Sequence, residues 1–332
     1  MHSSTHLAIV GATGLVGRKV LEILEEKNLP NMTYTLFASA KSAGKTVSFL
    51  GKDYIIQELT DSSFDTSFDY AIFSAGGETA LHYAPIAASK GCTVIDNSSA
   101  FRMKDDVPLV VPEVNPKDVF FHHGIIANPN CSTIQAVVAL SPIDKKYGIK
   151  RIVYSTYQAV SGAGKKGLQD LEKGKDFNYT LQKFPYPIVN NCLPHIDVFL
   201  ENGSTKEEQK MIEETRKILH HPKLRISATA VRVPVENCHG EAINVELEKD
   251  FTIEEIRNVL QNSPGIKVQD DITNLQYPIA TEVSGKDEVF VGRIRRDTSL
   301  TFGLNLWVVA DNIRKGAATN AIQILEILIK GQ

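Results

Sequence analysis

A chain of 332 residues with 42% hydrophobic and 23% charged side chains is too long for one ordinary core and too apolar for disorder, which predicts about two folded domains. A net charge of −3, without long blocks of Lys and Arg, argues against nucleic-acid and anionic-membrane partners. The start lacks the basic and long apolar regions of a secretion signal, and Cys92, Cys131, Cys192 and Cys238 form neither a C-x-x-C pair nor a metal-ligand spacing. Free thiols, a cytoplasmic setting and no metal site are expected.

The first apolar run, residues 7–10, leads into Gly11-Ala12-Thr13-Gly14-Leu15-Val16-Gly17 and then a helical pattern through Val20, Leu21 and Leu24. Further continuous apolar runs at 34–37, 70–73, 93–95, 109–111 and 125–127 suit buried parallel strands, with a helix at 79–90 closed by Gly91. This half reads as a doubly wound, Rossmann-type α/β domain. Beyond Cys131 come a helix from 132 to about 147, β-rich runs at 151–160, 226–235, 242–247 and 300–309, and helices near 206–219 and 252–260. That pattern predicts a second, α+β domain with a mixed sheet. The segment 312–329 reads as a closing helix with one buried face, returning to the first domain.

The G-x-x-G-x-x-G turn between strand and helix is the form in which backbone N–H groups and a helix N-terminus meet a pyrophosphate. NAD sites carry an acid at the end of the second strand for the ribose 2′-OH, whereas a 2′-phosphate calls for hydroxyls and a cation. Here the stretch holds Ser39, Lys41 and Ser42 and no acid, which points to NADP, although Lys41 alone reads equally well as a solvated loop lysine. Ser74-Ala75-Gly76-Gly77 ends another strand, where Gly76 allows close approach of the cofactor or simply makes a turn.

The sequence N-P-N-C-S-T-I-Q, residues 128–135, sets Cys131 where an approach ends and a helix begins. At a helix N-terminus the macrodipole and free N–H groups favour a thiolate and can hold an oxyanion on an attacked carbonyl. Cys92 and Cys192 lack that setting, and Cys238 adjoins His239, whose side chain an extended strand would turn to the opposite face. A thiol nucleophile needs a proton donor and acceptor, and among nine histidines the sequence alone does not select one; His239, between Cys238 and Gly240, has the most unusual setting.

Taken with N-S-S-A-F-R-M, Y-Q-A-V-S-G-A-G, E-E-Q-K-M, A-V-R-V-P-V, N-C-H-G-E-A and F-G-L-N-L-W-V-V-A-D-N-I-R-K-G-A-A, the chain resembles the bacterial aspartate-β-semialdehyde dehydrogenases over essentially its whole length. The resemblance implies that Cys131 attacks the acyl phosphate of aspartyl phosphate, that His239 is the acid/base catalyst and that Gln158 positions the thioacyl intermediate. It assigns the phosphate to Arg102, Lys210 and Asn130, the substrate ammonium to Glu207, with Glu208 adjacent, and the α-carboxylate to Arg232. Ser161, Gly162, Gly164 and Asn312 would approach the nicotinamide. The implied division is an NADP domain of residues 1–130 plus a helix at about 312–332, and a catalytic and dimerisation domain of 131–311, in a homodimer or homotetramer. Competing readings are a related acyl-phosphate or CoA-thioester reductase, a non-catalytic NADP sensor, and a short-chain-type reductase or epimerase using the Tyr179-x-x-x-Lys183 spacing.

Overall fold

The computed structural model describes residues 4–176 and 178–331, so the expected limits at residues 1 and 332 lie outside the described residues. The chain divides into two units at Pro129/Asn130 and again at Gly316/Ala317, with the C-terminal residues belonging to the first.

The first unit is built on strands β1 (Thr5–Val10), β2 (Met32–Ala38), β5 (Gln57–Glu58), β6 (Tyr70–Phe73), β7 (Thr93–Asp96) and β8 (Ile125–Ala127), with the hairpin β3 (Thr46–Phe49) and β4 (Lys52–Ile55) between the second and third of these. The sheet is wholly parallel, in the order β5-β2-β1-β6-β7-β8. Its central strands are largely buried, β6 entirely and β1 over its second half, because both faces are covered, whereas the two-residue edge strand β5 is polar and exposed. Helix α1 (Leu15–Lys27) and the C-terminal helix (Thr319–Lys330) place Val20, Leu24, Ile322, Leu325 and Leu328 in one core with Leu7 and Ile9. Each such side chain contributes about 1.5–3 kcal/mol when taken out of water. Helix α2 (Gly77–Ser89) ends before Gly91, whose φ of 88° is the left-handed turn that glycine accommodates.

Three expectations are corrected here. Residues 109–111 are buried but form only one bridge among the described residues, Leu109 to Ala127, because the chain then turns, the Val111 carbonyl accepting the Val114 and Asn115 N–H groups, and side chains take several of the remaining backbone groups. Asn115 accepts from the Val111 N–H and donates to the Leu109 carbonyl, and Asn320 donates to the Val110 carbonyl. The closing helix begins at Thr319, after a π-helical turn, Arg314–Ala318, and Asn312 lies in a turn of the second unit. Asn130 also belongs to the second unit, where it caps a helix rather than ending the first domain.

The second unit holds a mixed sheet in the order β10-β9-β11-β14-β13-β12. Its strands are β9 (Ile149–Gln158), β10 (Arg225–Arg232), β11 (His239–Leu247), β12 (Ile266–Val268), β13 (Val289–Asp297) and β14 (Gly303–Ala310). Helix α3 (Cys131–Tyr147) lies on β9, β11, β13 and β14 and buries nearly its entire first half, including Ser132, Thr133 and Gln135. Helices α4 (Gly164–Lys173), α5 (Lys206–Ile218), α6 (Ile253–Gln261) and α7 (Ala280–Val283) complete the unit. Strand alternation directs Tyr154, Thr156 and Gln158 of β9, and His239 and Glu241 of β11, into the interior. Among the described residues no helix is long and apolar enough to cross a membrane.

Candidate active site

Asn130 is the N-cap of α3, its side-chain oxygen accepting from the N–H groups of Ser132 at 2.9 Å and Thr133 at 3.3 Å. It is held from two further directions: its backbone N–H donates to Glu214 Oε2 at 2.6 Å and its Nδ2 to Glu207 Oε1 at 2.9 Å. Cys131 follows as the first helical residue, partly exposed, with its thiol at the positive end of a helix whose start is fixed by these bonds.

Cys131 Sγ lies 3.2 Å from His239 Nε2, and the other ring nitrogen, Nδ1, accepts the backbone N–H of Ala159 at 3.0 Å. A backbone N–H can only donate, so the neutral ring carries its proton on Nε2 and presents it to the sulfur. Burial, and secondarily the Arg232 guanidinium, hold the His239 pKa well below the ordinary histidine value, so this neutral donor is the form that persists. An imidazole N–H aimed at the sulfur and the helix N-terminus act in the same direction, towards a thiolate.

Arg232 is buried rather than solvated, because β10 turns it inward. Its Nη1 donates to the Ala159 carbonyl at 2.6 Å, while its Nε has no partner among the described residues. Burial pulls its pKa down, opposed by Glu207 and Cys131. One peptide residue, Ala159, therefore orients both His239 through its N–H and Arg232 through its carbonyl. Gly162 completes this side: a Cβ there would meet Arg232 Nη1 at 3.0 Å and the His239 ring at 3.2 Å.

Glu207 and Lys210 lie on α5. Glu207 Oε1 accepts from Gln158 Nε2 at 3.2 Å as well as from Asn130, and its Oε2 lies 3.4 Å from Lys210 Nζ. Lys210 also pairs with Asp197 at 2.6 Å. Gln158 Nε2 donates to Thr156 Oγ1 too, at 3.2 Å. The neighbouring Glu208 is engaged elsewhere, closing a capping box with Thr205 and accepting the Ala230 N–H at 3.0 Å. The structure thus separates two adjacent glutamates that the sequence left open. Ser161 and Asn312 bond each other at 3.0 Å, and Asn312 Oδ1 accepts the Cys238 N–H at 2.9 Å, one residue before the imidazole. Gly164 opens α4 with φ 74° and open space around it.

The remaining candidates belong to the first unit. Arg102 is buried, with Nε donating to the Asn128 carbonyl and Nη2 to the Asn97 carbonyl, each at 2.9 Å. A cleft of about 520 Å³ is lined by Gly11, Thr13, Gly14 and Ser39, and also by Leu59, Ser74, Thr79 and Tyr83. Gly17 has a different part: a Cβ there would stand 2.1 Å from the Gly11 carbonyl oxygen, so its bareness closes the turn. Ala12 is buried, and Leu15 and Val16 start α1, whose N-cap Gly14 offers no side-chain bond to the first N–H groups. Gly76, φ 91°, is the similarly bare N-cap of α2. Two uncapped helix starts and a glycine cradle fit a dinucleotide pyrophosphate. Ser42 Oγ lies 3.5 Å from Thr13 Oγ1, next to Lys41 in the loop after β2. The sequence reading missed Leu59, Thr79 and Tyr83; the i, i+4 spacing of the last two on a helix following a glycine turn was the available signal.

No group of three or more His, Cys, Asp or Glu able to hold a metal occurs among the described residues. Tyr179 and Lys183 share no helix: the Tyr179 hydroxyl and the N–H of Lys183 both donate to the buried Asp170, in an irregular segment. The pair required for short-chain-type chemistry is therefore not formed.

Reducing an activated acyl group takes a dinucleotide to deliver hydride and a nucleophile to hold the acyl chain meanwhile. A chain equipped for both falls among the thiol-dependent dehydrogenases. The family model "Semialdehyde dehydrogenase, NAD binding domain" matches residues 6–121, and "Semialdehyde dehydrogenase, dimerisation domain" matches residues 140–315. The aspartate-semialdehyde dehydrogenase of Aquifex aeolicus is 56% identical over 98% of each chain, and that of Bacillus subtilis 46% identical over 99% of each. The crystal structure of aspartate semialdehyde dehydrogenase II from Vibrio cholerae complexed with ASA superposes with a TM-score of 0.94 at 46% identity, covering 99% of each chain. That of the Candida albicans enzyme with NADP gives 0.78 at 26% identity, covering 98% of this chain and 99% of that one. The chain belongs to the aspartate-semialdehyde dehydrogenase family.

Proposed function

We propose that the chain reduces L-aspartyl 4-phosphate to L-aspartate 4-semialdehyde with release of phosphate, using NADPH, as a step in lysine, methionine, threonine and isoleucine biosynthesis. The observation that carries the mechanism is the 3.2 Å approach of Cys131 Sγ to His239 Nε2 at the capped start of α3.

The Cys131 thiolate attacks the acyl carbon and displaces phosphate, leaving a thioester on sulfur. The Ser132 and Thr133 N–H groups are already bonded to Asn130, so it is the positive end of the α3 dipole that stabilises the oxyanion of that addition. Hydride addition leaves an alkoxide that accepts a hydrogen bond from His239 Nε2–H; re-forming the C=O as the aldehyde expels the Cys131 sulfur as thiolate, and the proton stays on the imidazole. Bound NADPH provides the hydride. Arg102 and Lys210 hold the phosphate, Arg232 the α-carboxylate and Glu207 the ammonium, with Asn130 and Gln158 fixing the Glu207 carboxylate; Gln158 exchanges one of its amide bonds for the thioacyl oxygen. Ser161, Gly162, Gly164 and Asn312 shape the nicotinamide side. Ser39, Lys41 and Ser42 receive the 2′-phosphate, with no acid in that loop to favour NAD.

The working form is a homodimer or homotetramer in the cytoplasm. Its contact face is the second sheet's outer side, where Tyr157, Tyr277 and Ile279 are exposed around an apolar recess of about 500 Å³.

The test is NADP reduction with aspartate semialdehyde and phosphate at alkaline pH, with and without iodoacetamide. Phosphate-dependent turnover lost on labelling of Cys131 is expected. Cofactor binding without turnover would overturn the substrate and direct attention to other acyl phosphates and to CoA thioesters.

A further inference from the structure

Behind the thiol stands a glycine. In the π-helical turn Arg314–Ala318, a Cβ added to Gly316 would lie 2.8 Å from Cys131 Cβ and 3.3 Å from Cys131 Cα. Gly316 is not among the glycines with positive φ, so its backbone conformation is open to any residue and only space excludes a side chain. The space is occupied by the nucleophile. π turns are rare and recur at functional sites, which suits a turn whose extra residue lets backbone approach so closely.

The turn is held firmly. Asp311 Oδ1 accepts from the N–H groups of Ile313 at 2.9 Å and Arg314 at 3.0 Å, and the Asp311 carbonyl accepts the Gly316 N–H at 3.1 Å. Arg314 pairs with Asp287 at 2.9 Å. The other Asp311 oxygen accepts from Asn237 Nδ2 at 2.7 Å, two residues before His239. A single buried carboxylate thus connects the wall behind the sulfur to the segment that delivers the imidazole.

We propose that Gly316 is a positioning residue for Cys131: it brings the π turn into van der Waals contact with the thiol's own carbon and so keeps Sγ within reach of His239 Nε2. This rests on the reading of Cys131 as the nucleophile. Close-packed interiors yield little, so an added methyl must displace either the turn or the start of α3. Displacement of the sulfur weakens its bond to the imidazole and its alignment with the helix N-terminus together.

The experiment is the pH dependence of iodoacetamide labelling at Cys131, followed by mass spectrometry, in the wild-type chain and in Gly316→Ala, with kcat and KM alongside. The wild-type thiol is expected to react well below the ordinary cysteine range of about 8.5. In Gly316→Ala the labelling midpoint should rise towards that range and kcat fall about 100-fold, with KM for the cofactor little changed. Gly292→Ala is the control for general damage: a Cβ there would lie 2.2 Å from the Gln269 carbonyl oxygen, yet it should lower the thermal midpoint without moving the labelling profile. Should Gly316→Ala fail to fold, Asp311→Asn loosens the same turn and should shift the profile the same way by less. An unchanged profile and kcat in Gly316→Ala, or an equal shift in Gly292→Ala, overturns the proposal. A wild-type thiol no faster than free cysteine overturns the nucleophile reading itself, and the two failures are thereby told apart.

Discussion

The glycine turn of the first unit and the thiol centre of the second solve opposite problems. Around Gly11, Gly14 and Gly17 side chains are left out: the bareness of Gly17 closes the turn on the Gly11 carbonyl, and that of Gly11 and Gly14 leaves an uncapped helix start facing the cleft. Around Cys131 side chains are crowded in: Glu207, Arg232, His239 and Asn130 are all buried, and each orients another. The first kind of site is local in sequence and tolerant of its surroundings. The second depends on residues from α3, β9, β10, β11 and α5, and any one member misplaced disturbs the rest.

The largest test of this contrast is Cys131→Ser. A hydroxyl in place of the thiol is not ionised by an imidazole N–H and a helix dipole, so turnover should fall at least about 1,000-fold while cofactor affinity holds. Near-normal turnover would end the mechanism. The reciprocal variant is Gly17→Ala, whose methyl overlaps the Gly11 carbonyl at 2.1 Å. Opening that turn should weaken cofactor binding about 100-fold, read by fluorescence titration, and leave Cys131 labelling as in the wild type. Loss of labelling in that variant would show that the two regions are not separable.

The legibility of the two sites followed the same divide. The turn was visible because strand, glycines and helix stand in one short stretch, and five of the six parallel strands were visible as apolar runs, the polar edge strand β5 being the exception. The hairpin of β3 and β4 was not seen, since each strand has four residues and turns only Val47, Phe49 and Tyr54 towards the core, too few to set a period. At residues 109–111 an apolar run misled because asparagine side chains, Asn115 and Asn320, replaced a sheet partner. The start of α3 was recognisable, but its pairing with a histidine 108 positions away was not: the setting between Cys238 and Gly240 set His239 apart from eight others, and the family resemblance made it the choice. Nor did the sequence foretell which ring nitrogen bears the proton. That depends on the Ala159 N–H, a backbone group with no residue-type signature.

Smaller effects sharpen the comparison. Asn130→Ala removes the cap of α3 and one of the bonds to Glu207, and should cost about 1 kcal/mol of stability in urea unfolding. Turnover should fall by more than that loss explains, because the same side chain sets the start of the helix carrying the thiol. Equal, small losses in both would make Asn130 a cap and nothing else. In the first unit, Lys41→Ala should raise KM for NADP about tenfold and leave that for NAD unchanged; a parallel change for both dinucleotides would show Lys41 to be a general surface charge.

Glu241 gives the subtlest case, because it is a titratable group the crowded site does not use. It is fully buried two residues along β11 from His239, and neither carboxyl oxygen has a protein partner among the described residues. Burial, and then the nearby Glu207, push its pKa well above the ordinary carboxyl value. The unfolded chain ionises this group near pH 4.3, while the folded chain keeps its proton. Between those two pKa values the folded state binds more protons than the unfolded one, so this residue's contribution is fully present in acid and is lost as pH rises. Glu241→Gln keeps the shape of the neutral acid and removes the ionisation. Its thermal midpoint should therefore match the wild type near pH 4 and exceed it by about a few degrees near pH 8, the gap widening with pH. Because the neutral form is what the site holds, turnover at neutral pH should be nearly unaffected. A large loss of turnover would show instead that an ionised Glu241 acts on His239, and a midpoint gap that narrows with pH would reverse the sign assigned to its burial.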